Sequence, residues 1–250
     1  MNEINTKPDL SLIKNYFVIN NEAKKGGVVV ECGTAQGNYN PSLYLEDKLG
    51  WLMYGFEPNP EFWGDLDRNR PDAVKVHKAL ADYTGTSSFA LLGDNSSMRH
   101  NWVHIEEYGG RRLDTITVKT TTWREFVSHY HITHVDLFIL DVEGCETQVL
   151  KGMDGCNVLP DVMMIEYPRS DYDFMLRDSE TKEDFSGFKV IKDTLLKMGY
   201  VFDYVISANA MFSKNTFWEG RTKPIEWAFG ETSASLHGYL IYDTEKCRNI

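Results

Sequence analysis

Short runs of apolar, often β-branched residues alternate along the chain with segments whose apolar positions recur every three or four residues. The short runs predict strands over Gly27–Glu31, Leu52–Glu57, Val74–Ala79, Leu137–Asp141 and Val162–Glu166. The longer period predicts helices over Pro41–Leu49, Pro60–Asn69, Thr122–Tyr130, Glu146–Lys151 and Phe188–Met198, the last stopped by Gly199. Runs that are apolar throughout suit strands covered on both faces. The expected fold class is therefore α/β, a mostly parallel sheet with helices on both faces. Two more runs, Tyr200–Ile206 and Gly238–Tyr242, predict an antiparallel pair at one edge, joined by a long connection over residues 207–236. Residues 1–25 read as a helical lead-in and 26–250 as one domain.

Composition narrows the function classes. The 250 residues are 42% hydrophobic and 13% aromatic, enough for a sizeable single core. A formal net charge of -11 gives a field that repels a phosphate backbone, so nucleic acid is not an expected partner. No apolar run has the length of a membrane span, and MNEINTKPDL lacks the basic-then-apolar pattern of a signal peptide. A soluble, cytoplasmic protein with no membrane partner is expected. Cys32, Cys145, Cys156 and Cys247 form no C-x-x-C pair, which predicts free thiols rather than a zinc site or a disulfide framework.

The chemistry gathers where strands give way to helices. In an open α/β sheet, ligands bind beyond the carboxyl ends of the strands, and the first strand ends there in ECGTAQG. Gly33 and Gly37 would let the backbone pass close to a ligand, with Thr34 between them, and Glu31 puts a carboxylate beside its cationic end. The spacing is not G-x-G-x-x-G, which disfavours a nicotinamide dehydrogenase. Glu57 ends the second strand at the spacing where a carboxylate takes ribose hydroxyls, followed by Pro58 and Asn59. A nucleoside joined to a charged amino acid is S-adenosylmethionine, the expected cofactor. Ala79 and Leu80, at the end of the third strand, and Asp141, at the end of the fourth, complete the expected cofactor-binding set.

The fourth strand continues into DLFILDVEGCETQVLKG, followed by MMIEYP. With ECGTAQG, GFEPNP, KALADYTGTSSF and NSS at 95–97, this ordered series resembles the FkbM family of S-adenosylmethionine-dependent methyltransferases over most of the chain. The resemblance implies a class I methyltransferase (Rossmann-like) fold and, for most characterised members, O-methylation of a hydroxyl on a sugar, glycan or small metabolite. The chain departs from the usual pattern in having Thr34-Ala35 after the first glycine and Ile139 where a lysine often precedes the D-V-E-G aspartate. The second departure bears on the acceptor. A non-catalytic cofactor-binding module is the competing class.

Methyl transfer to an alcohol needs the acceptor oxygen held against the methyl group and its proton removed. Asp141, Glu143 and Glu166 converge on one rim as catalytic candidates, and crowding of like charges raises at least one of their pKa values. Two other readings stay open: Asp141 caps the next helix while Glu143 holds the loop, or the three carboxylates ligate Mg²⁺ or Ca²⁺. No metal is assigned. Ser96, Ser97, His100, Trp218 and His237 are the acceptor-binding candidates, with His104 as a further histidine near the same segment. Residues 207–236, rich in Phe212, Phe217, Trp218, Trp227 and Phe229, read either as an acceptor-side insertion or as a satellite core at the sheet edge. The HYHITH cluster, with His129, His131 and His134, falls before the fourth strand and hence at the opposite end of the sheet from the ligand crevice.

Overall fold

The computed structural model describes residues 10–98, 114–166, 188–206 and 209–221. Helix α1 (Ser11–Phe17) and a small hairpin, β1 (Val18–Ile19) and β2 (Glu22–Ala23), lead in. There follow β3 (Val28–Cys32), α2 (Asn40–Leu49), β4 (Leu52–Phe56), α3 (Pro60–Asn69) and β5 (Val74–Val76). Next come β6 (Ala79–Ala81), β7 (Gly85–Ala90), β8 (Thr115–Thr122), α4 (Trp123–His129), β9 (Leu137–Leu140), α5 (Glu146–Met153) and β10 (Val162–Glu166). Helix α6 (Phe188–Lys197), β11 (Tyr200–Ile206) and β12 (Asn209–Lys214) complete the described elements.

The main sheet has seven strands in the order β11-β12-β10-β9-β3-β4-β5. Strands β10, β9, β3, β4 and β5 pair in parallel, and β12 runs antiparallel to both of its neighbours. The sheet is mostly parallel with helices on both faces, as expected, with one correction. The antiparallel strand is not at the edge: β12 is inserted between β10 and β11, and β11 is the edge. Its partner is Asn209–Lys214 rather than Gly238–Tyr242, which lies outside the described residues. Part of the segment 207–236, expected as an insertion, is therefore a strand of the main sheet.

The period of two decides which residues face which helices. Val29, Met53, Leu137, Ile139, Val162, Met164 and Met211 pack with α1 and α2 on one face. Val30, Phe56, Phe138, Leu140, Met163, Ile165 and Phe212 pack with α4, α5 and α6 on the other. Both faces are dry, so the strands read as unbroken apolar runs. Local signals set the helix ends: Asn59 accepts from the Glu61 N–H to cap α3, Thr122 accepts from the Glu125 N–H to cap α4, and Gly50 stops α2 with φ at +65°. The stretch expected as one strand over Val74–Ala79 is split. Ala79–Ala81 leaves the main sheet and joins β7 and β8 in a separate three-stranded sheet, order β6-β8-β7. Among the described residues, no helix is long and apolar enough to cross a membrane.

Candidate active site

The carboxyl ends of β3, β4 and β9, with the loop after β7, surround a cleft lined by polar groups over an apolar floor that includes Ile139 and Met164. Glu31, the penultimate residue of β3, is buried against it. Behind Glu31 stands Arg70, fully buried, which the sequence reading passed over. Its guanidinium lies 3.8 Å from Glu31 Oε2. It also donates to the Gly37 carbonyl at 2.6 Å, the Ser42 hydroxyl at 2.6 Å and the Glu46 carboxylate at 2.7 Å. Burial pushes the Glu31 carboxyl up to about 7, against the opposing pull of Arg70. Glu31 Oε2 accepts no hydrogen bond from the described residues, so a buried carboxylate oxygen in the cleft wall is left for a cationic donor.

The two glycines also serve a purpose that the sequence reading did not foresee. Gly33 and Gly37 have φ of +86° and +76°. A Cβ on Gly33 would lie 1.9 Å from the Asp141 carbonyl oxygen, and one on Gly37 would lie 2.7 Å from Leu66 Cδ1 and 2.9 Å from Arg70 Cγ. The missing side chains therefore let the turn after β3 press against the loop after β9 and against α3. Gly33 and Thr34 line the cleft, whereas Gly37 stands behind it.

Glu57 is buried at the cleft, and both carboxylate oxygens accept backbone hydrogen bonds: Oε2 from Ala35 at 2.7 Å and Oε1 from Asn59 at 2.8 Å. Burial raises it to about 7 despite these bonds. The same contacts tie the turn after β3 to the loop after β4, so Glu57 organises the wall that it belongs to. Pro58, Ala79 and Leu80 line the cleft as expected. Asn59 is fully buried, capping α3 and supporting Glu57, and acts on the cleft from behind. Phe62, Lys78, Asp94, Met98 and Asn209 also line it and were not anticipated. Phe62 was accessible from its place just after GFEPNP. Asn209 was not, because its position depends on the unforeseen insertion of β12.

On the other side, Asp141 follows β9, its N–H bonded to the Cys32 carbonyl at 3.1 Å, and Glu166 ends β10. With Glu143 they bring three carboxylates together, one oxygen of each within 4.8 Å of the others. The Asp141 and Glu166 carboxyls lie within reach of each other, an arrangement that favours a proton on one of them. Burial raises both, and the charge on Asp141 raises Glu166 further.

The alternative structural roles fall elsewhere. Cys145 occupies the N-cap position of α5, without a capping side chain, so Asp141 does not cap it. The loop is held by Glu146, whose Oε1 accepts from the N–H groups of Val142 at 3.1 Å and Gly144 at 3.2 Å. Among the acceptor candidates, Ser96 lines the cleft, while Ser97 is buried with its hydroxyl donating to the Glu143 carbonyl at 2.8 Å. Trp218 is corrected. It follows the end of β12 that pairs with the start of β10, at the amino ends of the parallel strands, where it packs on Tyr16 and Phe217 and donates to Ser213 Oγ. Phe212 and Phe217 are core residues, so the satellite-core reading holds for this part of the aromatic segment. His100, His104, His237, Trp227 and Phe229 lie outside the described residues.

The model of the methyltransferase FkbM domain matches residues 31–202, which contain every carboxylate described above. The chain belongs to the FkbM methyltransferase family. The family is one of methyltransferases, whose methyl donor is S-adenosylmethionine. The donor set fits that molecule, since a buried carboxylate oxygen without a hydrogen-bond partner among the described residues and a second cleft carboxylate suit an ammonium and vicinal hydroxyls respectively. Among curated proteins, the family member is 28% identical over 163 residues to the 2-O-methyltransferase NoeI of Sinorhizobium fredii, a match covering 58% of this chain and 65% of that one. It is 30% identical over 105 residues to the hexuronic acid methyltransferase AglP of Haloferax volcanii, covering 40% and 41%. The chain thus spans less than two thirds of either relative. Among solved structures, fibrillarin of Aeropyrum pernix with bound S-adenosyl-L-methionine aligns over 76% of this chain and 66% of its own, at 18% identity and a TM-score of 0.41.

Proposed function

We propose that this protein is an S-adenosylmethionine-dependent O-methyltransferase whose acceptor is a hydroxyl of a sugar, glycan or small metabolite. The observation that carries the reading is the division of the cleft's carboxylates: Glu31 and Glu57 on the β3–β4 side, and Asp141 and Glu143 on the β9 side, with Glu166 beside Asp141 and raised by it. In this reading Glu31 receives the amino-acid end of the cofactor and Glu57 its ribose hydroxyls. Gly33, Thr34, Pro58, Ala79 and Leu80 wall the nucleoside. Bound there, the cofactor supplies an electrophilic methyl group. Asp141, with Glu143 beside it, takes the acceptor's hydroxyl proton, and Glu166 stays protonated and steadies the charge on Asp141. A carbohydrate acceptor is supported by the printed activities of the two curated relatives. A cytoplasmic setting is supported by Cys32, Cys145 and Cys156, the cysteines among the described residues, being buried and in no disulfide with one another.

A metal-assisted variant is favoured by one observation, the approach of three carboxylate oxygens to within 4.8 Å, a spacing that a hard cation such as Mg²⁺ or Ca²⁺ accepts. The deciding experiment is a methyl-transfer screen with labelled cofactor over sugars, glycans and small alcohols, run with and without chelator. S-adenosylhomocysteine is expected to raise the melting temperature, and label to pass to a hydroxyl with chelator present. Loss of transfer on chelation, restored by Mg²⁺ or Ca²⁺, selects the metal-assisted variant. Cofactor binding without transfer to any acceptor would leave a binding module, and absence of binding would end the proposal.

A further inference from the structure

The peptide group joining Glu143 to Gly144 is gripped from two sides. Its carbonyl accepts the Ser97 hydroxyl at 2.8 Å, and its N–H donates to Glu146 Oε1 at 3.2 Å. The two gripping side chains come from different elements. Ser97 is in the loop after β7 and is bridged back to Ala90 through two backbone bonds, whereas Glu146 opens α5. Both are about 2% exposed, so neither bond competes with bulk water. Between them Glu143 is held at φ +53°, a left-handed conformation costly for a residue with a Cβ. A loop free to relax would leave it. Gly144, at φ +94°, permits the same turn to continue.

The geometry points to Ser97 and Glu146 as positioning residues that clamp the 143–144 peptide and so hold the Glu143 carboxylate beside Asp141 and Glu166. The clamp also links the acid loop to the segment carrying Gly93, Asp94, Ser96 and Met98, which forms part of the cleft wall, so the two sides of the acceptor region are fixed relative to each other. This rests on the reading of the Asp141, Glu143 and Glu166 rim as the acceptor-facing acid group. It removes Ser97 from direct contact with acceptor and gives Glu146 work that needs an oxygen acceptor rather than a negative charge. One Glu146 oxygen makes both loop bonds, and the other, Oε2, has no hydrogen-bond partner among the described residues. Gln at this position keeps the acceptor and loses the charge; Ala keeps neither.

The test uses the full chain and four measurements: kcat, KM for an acceptor found in the screen, affinity for S-adenosylhomocysteine, and amide exchange at residues 142–144. Ser97→Ala is expected to lower kcat by about 10- to 100-fold through misplacement of the acid group, with cofactor affinity nearly kept. Exchange at 142–144 should accelerate by roughly tenfold, as expected for loss of one buried hydrogen bond. Glu146→Ala should behave likewise, and Glu146→Gln should recover most of the lost turnover. Wild-type kcat and exchange in Ser97→Ala would overturn the clamp, as would Glu146→Gln being as impaired as Glu146→Ala. A lowered melting temperature with kcat retained assigns both side chains a structural role only and also overturns it. The exchange measurement needs no turnover. Unchanged exchange therefore counts against the clamp even if no acceptor is ever found, while accelerated exchange in an inactive wild type would indict the proposed function and leave the clamp standing.

Discussion

Two clusters of three titratable side chains stand at opposite ends of the same sheet. At the amino ends, Asp136, Asp161 and His134 meet; at the carboxyl ends, Asp141, Glu143 and Glu166 meet; in each, one ligand-type atom per residue lies within 4.8 Å of the others. Their electrostatics are opposite. Asp136 is met by Lys24, by the Val28 N–H at 2.9 Å and by His134 at 3.1 Å, and Asp161 by Lys214 at 2.9 Å. These partners hold the Asp136 carboxyl below its ordinary range although burial works the other way. At the carboxyl ends burial pushes the Asp141 and Glu166 carboxyls up, and the charge on Asp141 pushes Glu166 further, which favours a proton held between the two acids. A cluster relieved by lysines is satisfied and fastens β3 and β9 at their start. One relieved only by a proton can give up or accept that proton, which is the property an acid–base site requires.

The largest effect that sharpens this contrast is on turnover. Asp141→Asn is expected to lower kcat by about 10²- to 10⁴-fold with the affinity for S-adenosylhomocysteine nearly unchanged. Asp136→Asn should leave kcat close to that of the native chain at temperatures where both are folded. Equal losses of turnover in the two variants would erase the distinction between the clusters.

Next in size is Gly33→Val. Because the new side chain would overlap the Asp141 carbonyl oxygen, the backbone must shift or the turn must open. A loss of more than about 3 kcal/mol of stability, read from denaturant unfolding, is expected together with weakened cofactor binding. A variant with native stability would show that the two loops are not pressed together as described.

Asp136→Asn itself should cost about 2 kcal/mol, since it strips a buried carboxylate from charged and backbone donors at once. The pH dependence has a definite sign. The folded Asp136 carboxyl titrates below its unfolded value, so its contribution is present above the unfolded pKa and is lost as pH falls through the folded one. The native chain should therefore lose stability more steeply in acid than the variant, which unfolding at a series of pH values below about 5 would measure.

The remaining effect runs the other way. Glu166 titrates above its unfolded value, so between the two the folded chain holds a proton that the unfolded chain has released, and stability falls as pH rises. Glu166→Gln removes that slope. The gap between variant and native stability should widen in the variant's favour from about pH 5 to pH 8, and a gap that is flat or of opposite sign would mean the acid pair holds no extra proton.

Much of this arrangement was legible in the chain. Strands written as unbroken apolar runs, with Glu31, Glu57 and Asp141 at or beside their carboxyl ends, determined the α/β class, the end of the sheet where the cleft lies and acids that line it. Pro60 with Asn59, and Thr122, marked helix starts through local bonds. All of these are near-neighbour effects, in which a residue's own dihedral preferences or its strand period suffice. What stayed hidden depends on residues far apart in sequence. The run from 209 to 214 looks like a loop until it is seen to pair with β10 and β11, and Arg70 looks like a surface arginine until α2, α3 and the turn after β3 close around it. Gly33 shows the same limit within one residue. The sequence required a glycine there, but only the approach of the Asp141 carbonyl, brought in by β9 pairing alongside β3, decided that protein backbone and not ligand fills the space.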